Sequence, residues 1–407
     1  MKLLFVSDVP LNSPMSGAEQ VLHWQAIGLN KSIGKVYAIS RCNEAGFHVD
    51  HRNIHGVNEA CYNANPEFYI NFFLNLYTVP CKIYDQIQNG VPFSVAICHQ
   101  PFTYFSLLLK NKLKNLPTVY VFHSPNHEEY LLSKNGKINF VHFIQVKIRR
   151  MIEKRCLQHA KKIIVLSDFM KSKVMSIHAI PEYQIEVNPG GVDLSTFQFA
   201  THRAKLKKQL NLSPGYIHLL TIRNHEPRMG LDNLVKALYF LKKKFDNIHL
   251  TIGGKGPEKS TIKKLVEEYG LNESIMMPGF IPSKLLPKYY GSADFFIIPT
   301  EHLEGFGLVT VESLSCGTPV LGTPVGGTIE ILSALNKDFL FNGTSAEAIA
   351  EGIAKAIENY FINKGIYKKL RQQAHRYARD NFSWERHLTQ LHSTILNLKA
   401  EQSVDKH

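Results

Sequence analysis

Two glutamates, Glu304 and Glu312, stand with seven residues between them in a segment where a carboxylate pair could do chemistry. The intervening Gly305-Phe306-Gly307 lets the backbone approach a ligand closely, because a residue without a Cβ adopts conformations and contacts closed to others. Leu308 and Val309 then open an apolar run that reads as a helix, whose first amides would be free to bind a phosphate. A carboxylate facing a sugar-like hydroxyl group, beside amides facing a diphosphate, is the chemistry this spacing offers. A second candidate is His123, at the end of Val119-Tyr120-Val121-Phe122, where an imidazole can hydrogen-bond a hydroxyl or shuttle a proton. His99, after Val95–Cys98, has the same strand-end setting.

The elements that must position these residues are short apolar runs alternating with helical patterns, the signature of βαβ units and buried parallel sheets. Expected strands are 3–7, 36–40, 95–98, 119–123 and 163–167 in one half, and 218–222, 249–253, 275–277, 295–299 and 320–322 in the other. Leu231, Leu234, Val235, Leu238 and Leu241 repeat at helical spacing and are core rather than site. Ligands of such doubly wound sheets sit beyond the carboxyl ends of the strands, where both candidates fall.

In this order, Glu304 to Glu312, Ser315-Cys316-Gly317-Thr318-Pro319-Val320 and Gly326-Gly327 resemble the glutamate motif of the retaining glycosyltransferases of family 4 (glycosyl transferases group 1, GT-B fold). Ser16-Gly17-Ala18-Glu19 is similar to the family's Gly-rich loop, and Asn188-Pro189-Gly190-Gly191-Val192-Asp193 with Phe197 to its interdomain segment. Gly253-Gly254-Lys255-Gly256-Pro257, Pro278-Gly279-Phe280 and Phe382-Ser383-Trp384 continue the likeness, which so covers nearly the whole chain.

The resemblance implies an α/β protein of two Rossmann-like doubly wound domains facing a central cleft. Residues 1–200 would bind the acceptor, 201–380 the nucleotide sugar, and 381–407 would form a helix crossing back to the first domain and a tail that looks frayed from 399. It implies that His123, Glu304 and Arg228 are catalytic, and that Gly17, Arg223, Arg228, Gly307, Leu308 and Val309 hold the donor diphosphate. Glu304, Gly305 and Phe306 would contact the donor sugar, and Glu312, Gly279 and Phe280 the nucleoside, uridine being the first expectation and guanosine the second. Retention would follow from front-face substitution, in which the leaving phosphate helps deprotonate the acceptor.

The chain departs from the family at Arg223-Asn224-His225-Glu226-Pro227-Arg228-Met229-Gly230, where many members carry an arginine and a lysine. Aligned on Gly230, Asn224 competes with Arg223 for the first cationic position and Met229 falls on the lysine. This leaves stabilisation of the leaving group by two cations open, and with it a weakened or inactive protein.

Composition narrows the alternatives. A net charge of +13 favours anionic partners: nucleic acid, lipid headgroups or a diphosphate. Its clusters, Lys110, Lys112 and Lys114, then Lys147, Arg149, Arg150, Lys154, Arg155, Lys161 and Lys162, are either a solvated helix face or a surface for an anionic membrane. No aromatic-interleaved nucleic-acid module accompanies them, so nucleic acid is not expected. No Asp-x-Asp pair or zinc motif occurs, so neither metal nor cofactor is expected beyond the nucleotide sugar as co-substrate. Six scattered cysteines and the lack of a leader or spanning run suggest reduced thiols and a location in the cytoplasm or at the inner face of the membrane. The aromatic segment 68–77, beside basic clusters, would suit a lipid-linked or glycan acceptor in cell-envelope synthesis, or else is a buried helix. A dehydrogenase is disfavoured because Gly254-x-Gly256 lacks the third glycine and the ribose-binding acid. A nucleotide-sugar epimerase or a binding protein without turnover stays open.

Overall fold

The computed structural model describes residues 1–11, 16–42, 48–64, 69–88, 90–134 and 138–404, without the side chains of 69–74 and 403–404. It divides into two compact units: Met1–Pro189 together with Glu385–His407, and Gly190–Trp384. Each is an α/β unit built on a mainly parallel sheet.

The first sheet has eight strands: β1 (Lys2–Val6), β2 (Lys35–Cys42), β3 (Val49–Ile54), β4 (Val57–Asn63), β5 (Val95–His99), β6 (Thr118–Phe122), β7 (Lys162–Val165) and β8 (Ile185–Val187). Their order is β3-β4-β2-β1-β5-β6-β7-β8. Every residue from Leu3 to Val6 is fully buried, as are Val95–Cys98, because helices cover both faces of a parallel sheet. β3 differs. It pairs antiparallel with β4 at the sheet edge, where Asp50, His51 and Asn53 are exposed and Val49, Arg52 and Ile54 are half-buried. That polar edge hairpin and the three-residue β8 were not among the expected strands, since neither carries the apolar run by which the others are read.

The second sheet is wholly parallel, in the order β11-β10-β9-β12-β13. Its strands are β9 (Ile217–Ile222), β10 (Ile248–Gly253), β11 (Ile275–Gly279), β12 (Phe295–Ile298) and β13 (Val320–Gly322). The expected stripe Leu231, Leu234, Val235, Leu238 and Leu241 is buried in the helix Leu231–Lys242.

Where 200 and 380 were the expected divisions, the units part at Pro189 and Trp384. The reason is local packing of 190–200 on the second unit. Val192 N donates to Phe382 O, Ser315 Oγ to Phe197 O, and Ala200 N to Cys316 O. The last helix, Trp384–Val404, continues through the stretch expected to be frayed, because Leu391, Ile395 and Leu398 are buried and Gln390 and Thr394 hydrogen-bond Glu186 of the first unit.

Gly191 allows the closest of these approaches: a Cβ there would lie 2.5 Å from the backbone nitrogen of Trp384 and 2.7 Å from the carbonyl carbon of Ser383. Backbone cannot rotate aside as a side chain can. Gly191→Ala is therefore expected to destabilise the protein by about 1–3 kcal/mol in urea unfolding, the usual cost of overpacking; an unchanged midpoint would refute this packing account.

Candidate active site

In the second unit the candidate residues gather at the carboxyl ends of β9, β12 and β13. Arg223 follows β9 directly and is 8% exposed; Glu304, on the loop after β12, is 7% exposed. One Arg223 guanidinium nitrogen pairs with a Glu304 carboxylate oxygen and also donates to the Thr300 hydroxyl at 3.1 Å, while Thr300 donates to the same carboxylate at 3.0 Å. Asn224 points to solvent and Met229 is buried. It is thus Arg223, not Asn224, whose charge is directed at the loop.

Arg228 holds that loop from another side. Its guanidinium donates to Leu303 O at 2.7 Å, and its own carbonyl accepts from Glu301 N at 2.9 Å. Leu303 is thereby kept at a left-handed φ of 59°, a conformation that persists for a branched residue only where neighbours enforce it. On the far side, Gly327 N donates to Glu304 O at 2.9 Å, and a Cβ on Gly327 would lie 2.7 Å from Gly305 O. The loop is fixed on both flanks.

The helix that follows, Leu308–Ser315, begins after Gly307 at φ 88° with no side-chain cap, so its N-terminal amides and dipole favour an anion. A Cβ on Gly307 would lie 2.9 Å from the Thr310 hydroxyl and 3.7 Å from both the Glu304 carboxylate and the Thr328 hydroxyl. Both threonines are fully buried, and among the described residues neither hydroxyl has a hydrogen-bond partner. Buried hydroxyls without partners are costly, and here two of them converge with a carboxylate and free amides on one spot. Leu308 is buried and Val309 half-buried, so these two positions offer backbone rather than side chain.

Other candidates are placed differently. Glu312 is 2% exposed and accepts a 2.9 Å hydrogen bond from Tyr290, whose hydroxyl stays protonated because burial and then the Glu312 charge raise its pKa. The Phe306 ring packs on Phe382 with centroids 5.7 Å apart. Gly279 ends β11 at φ 79°, and Phe280 beside it is half exposed with the Lys255 ammonium 5.3 Å from its ring.

The first unit holds Gly17 and His123. Gly17 is the exposed first residue of the helix Gly17–Ser32, capped by Ser16. His123 follows β6, is half-buried, and hydrogen-bonds through Nε2 to Nδ1 of fully buried His99 at 2.9 Å. Burial, followed by the nearby His387, lowers the pKa of His123 to about 4, so it is neutral at pH 7. Among the described residues one further cluster, His127, Glu153 and His178, has metal-ligand proximity. Its carboxylate accepts from Asn126 N and His178 Nε2, both at 3.0 Å, and reads as an internal hydrogen-bond link. All six cysteines are free and buried.

Thr310 and Thr328 were not singled out from the sequence. Thr310 lies inside the motif window and Thr328 directly after Gly326-Gly327, but a hydroxyl one turn into an apolar helix is indistinguishable from packing until its partners are counted.

Comparison with known proteins places this geometry. Residues 202–381 match the family described as Glycosyl transferases group 1, and residues 15–196 match Glycosyltransferase Family 4. The chain belongs to this family of glycosyltransferases. A GDP-mannose-dependent alpha-(1-6)-phosphatidylinositol monomannoside mannosyltransferase of Mycobacterium tuberculosis is 27% identical over 219 residues, 52% of this chain and 56% of that enzyme. The alignment thus spans little more than half the relative's length. Among solved structures, sucrose-phosphate synthase of Thermosynechococcus elongatus superposes with a TM-score of 0.81 at 20% identity, over 98% of this chain and all of the other. HepE of Anabaena, solved with UDP, gives 0.76 at 17% identity over the same shares. Both show the fold to be that of GT-B enzymes.

Thr328→Val removes an unpartnered hydroxyl. It is expected to stabilise the ligand-free protein by about 1 kcal/mol, the low end of the penalty for an unsatisfied buried group, and to weaken nucleoside diphosphate binding in calorimetric titration. A loss of stability with unaltered affinity would show that the hydroxyl serves packing alone.

Proposed function

We propose that this chain is a retaining glycosyltransferase that moves a sugar from a nucleoside diphosphate onto a hydroxyl acceptor, with protein groups rather than a metal ion neutralising the leaving group. The observation that carries this reading is the buried Arg223–Glu304 pair beside two unpartnered hydroxyls and an uncapped helix start. As the bond from the sugar's anomeric carbon to the diphosphate oxygen breaks, negative charge grows on the diphosphate and positive charge on the sugar ring. Amides, hydroxyls and Arg223 suit the first, and the Glu304 carboxylate the second. The acceptor oxygen takes the anomeric carbon from the same face, and its proton passes to the departing diphosphate. Phe280 and Lys255 offer an exposed surface for the nucleoside. Uridine is the first donor to test; guanosine is favoured by the mannosyltransferase relative, which is named for GDP-mannose.

Donor and activity are tested together by screening nucleotide sugars for transfer, hydrolysis and epimerisation. Arg223→Met and Glu304→Gln are each expected to lower kcat by about 10²–10³, the usual worth of one group stabilising transition-state charge. Breaking a buried ion pair also costs stability, about 3–5 kcal/mol when one charge is left alone, so rates are taken per folded molecule. Variants that retain near-normal rates, or a product that keeps its nucleotide, would set this reading aside.

An anionic membrane surface is the partner we propose for the first unit, at the cytoplasmic face and with a lipid-linked or glycan acceptor of envelope synthesis. The aromatic segment expected to face it does not carry this reading: the side chains from Phe68 to Leu74 lie outside the described residues, and Leu76, Val79, Cys81, Ile83 and Tyr84 are buried. The helix Phe140–His159 carries it instead. Phe140 is 76% exposed and Phe143 51%, with Val141, Ile144, Ile148 and Met151 also exposed, and Lys147, Arg150, Lys154 and Arg155 lie among them on the exposed surface. An apolar stripe edged by cations suits the boundary between headgroups and acyl chains. No helix among the described residues is long and apolar enough to cross a membrane.

Vesicles containing phosphatidylglycerol should sediment the protein at low salt and release it as salt rises. Phe140→Ser with Phe143→Ser should weaken binding by about tenfold or more, since burying one such side chain is worth about 1.5–3 kcal/mol. Protein that stays in the supernatant at low salt would exclude the membrane role.

A further inference from the structure

We infer that Gln25, His99 and His387 form a hydrogen-bond relay of fixed direction, which locks His123 as the Nε2–H tautomer and presents its Nδ1 as a bare acceptor for a sugar or acceptor hydroxyl. The inference deepens the function proposed above and rests on it for the identity of that hydroxyl.

The relay runs entirely within the first unit. His123 Nε2 meets His99 Nδ1 at 2.9 Å, and His99 Nε2 meets Gln25 Oε1 at 3.1 Å. Gln25 Nε2 meets His387 Nε2 at 2.9 Å, and His387 Nδ1 meets the carbonyl oxygen of Pro189 at 2.8 Å. Gln25, His99 and His387 are at most 1% exposed. Their positions are themselves held: Asn188 donates to His387 O at 3.0 Å, and the His99 ring lies against Phe5 with centroids 6.0 Å apart.

Direction follows from the last link, because a carbonyl oxygen only accepts. His387 must therefore carry its proton on Nδ1, and as a neutral ring it leaves Nε2 bare. Only the amide side of Gln25 can donate to that bare nitrogen, which turns the Gln25 oxygen toward His99. His99 must then be protonated on Nε2 and bare on Nδ1. His123 consequently donates from Nε2, and its own Nδ1 is left as a lone pair. Among the described residues no hydrogen bond reaches that Nδ1. The neutrality this chain of steps requires agrees with the environment: burial lowers the pKa of His387 to about 4 and that of His99 well below the usual value. A proton added to His387 Nε2 or to His99 Nδ1 would set two donors face to face. The last helix thus reaches across 264 positions of sequence, from His387 to His123, to set the hydrogen-bonding sense of one imidazole.

Gln25, His99 and His387 are positioning residues, and imidazole ¹⁵N NMR at pH 7 on the full chain, with signals assigned by single substitution, reads the relay directly. The expected pattern is Nδ1–H for His387 and Nε2–H for both His99 and His123, with an N–N coupling across the hydrogen bond between His99 and His123. Gln25→Leu should lower kcat about tenfold with KM for the donor little changed, and Gln25→Glu, which keeps an acceptor toward His99, should recover part of that loss. A different tautomer on any of the three histidines overturns the relay, as does a folded Gln25→Leu variant with unaltered kcat. If the chain transfers no sugar at all, the function proposed above fails while the NMR pattern alone still decides the relay.

Discussion

A guanidinium and a carboxylate held together out of water are the constraint around which the second unit is arranged. Removing two charges from solvent is expensive, and a buried pair of this kind is rarely kept for stability alone. Here the surroundings are shaped to tolerate it. Thr300 bonds both partners, Arg228 grips the loop through Leu303 and Glu301, and glycines at 326 and 327 let a neighbouring turn press on Glu304 and Gly305 where a side chain would collide. The loop is preorganised before any ligand arrives, which is what a site must be if it is to stabilise charge without rearranging. The unpartnered hydroxyls of Thr310 and Thr328 mark where that readiness points.

Much of this was legible in the sequence, for a definite reason. Fully buried parallel strands must be continuous apolar runs, and Leu3–Val6, Val95–Cys98 and Phe295–Ile298 are so plain that the strand ends, and with them His123 and the Glu304 loop, could be located directly. The edge hairpin β3–β4 could not, because a half-solvated strand such as Val49–Ile54 carries histidine, arginine and asparagine that read as loop. The rivalry between Arg223 and Asn224 was likewise beyond sequence: adjacent residues leaving a strand point to opposite sides, and which side faces the loop depends on where the strand stops.

The residues that act at long range in sequence were hidden most completely. Nothing about His387, in the first turn of the last helix, sets it apart from the other histidines, and its meaning comes only from Pro189 and Gln25 standing on either side of it. The exposed apolar face of Phe140–His159 stayed unread for the converse reason. Its basic residues were visible, but an amphipathic helix is assumed to bury its apolar side, and only accessibility shows that Phe140 and Phe143 are left uncovered. In the function proposed here the two units divide the work by chemistry: one carries the charge-stabilising loop, the other the oriented imidazole and the apolar, cationic helix.

The central claim, that the loop from Glu304 into the helix Leu308–Ser315 receives a diphosphate, is open to direct measurement by amide hydrogen exchange with and without UDP or GDP. The account predicts that one of the two nucleotides slows exchange at Gly307, Leu308 and Val309, while the amides of Phe140–Met151 exchange as before. Protection confined to other segments, or none with either nucleotide at saturating concentration, would contradict it.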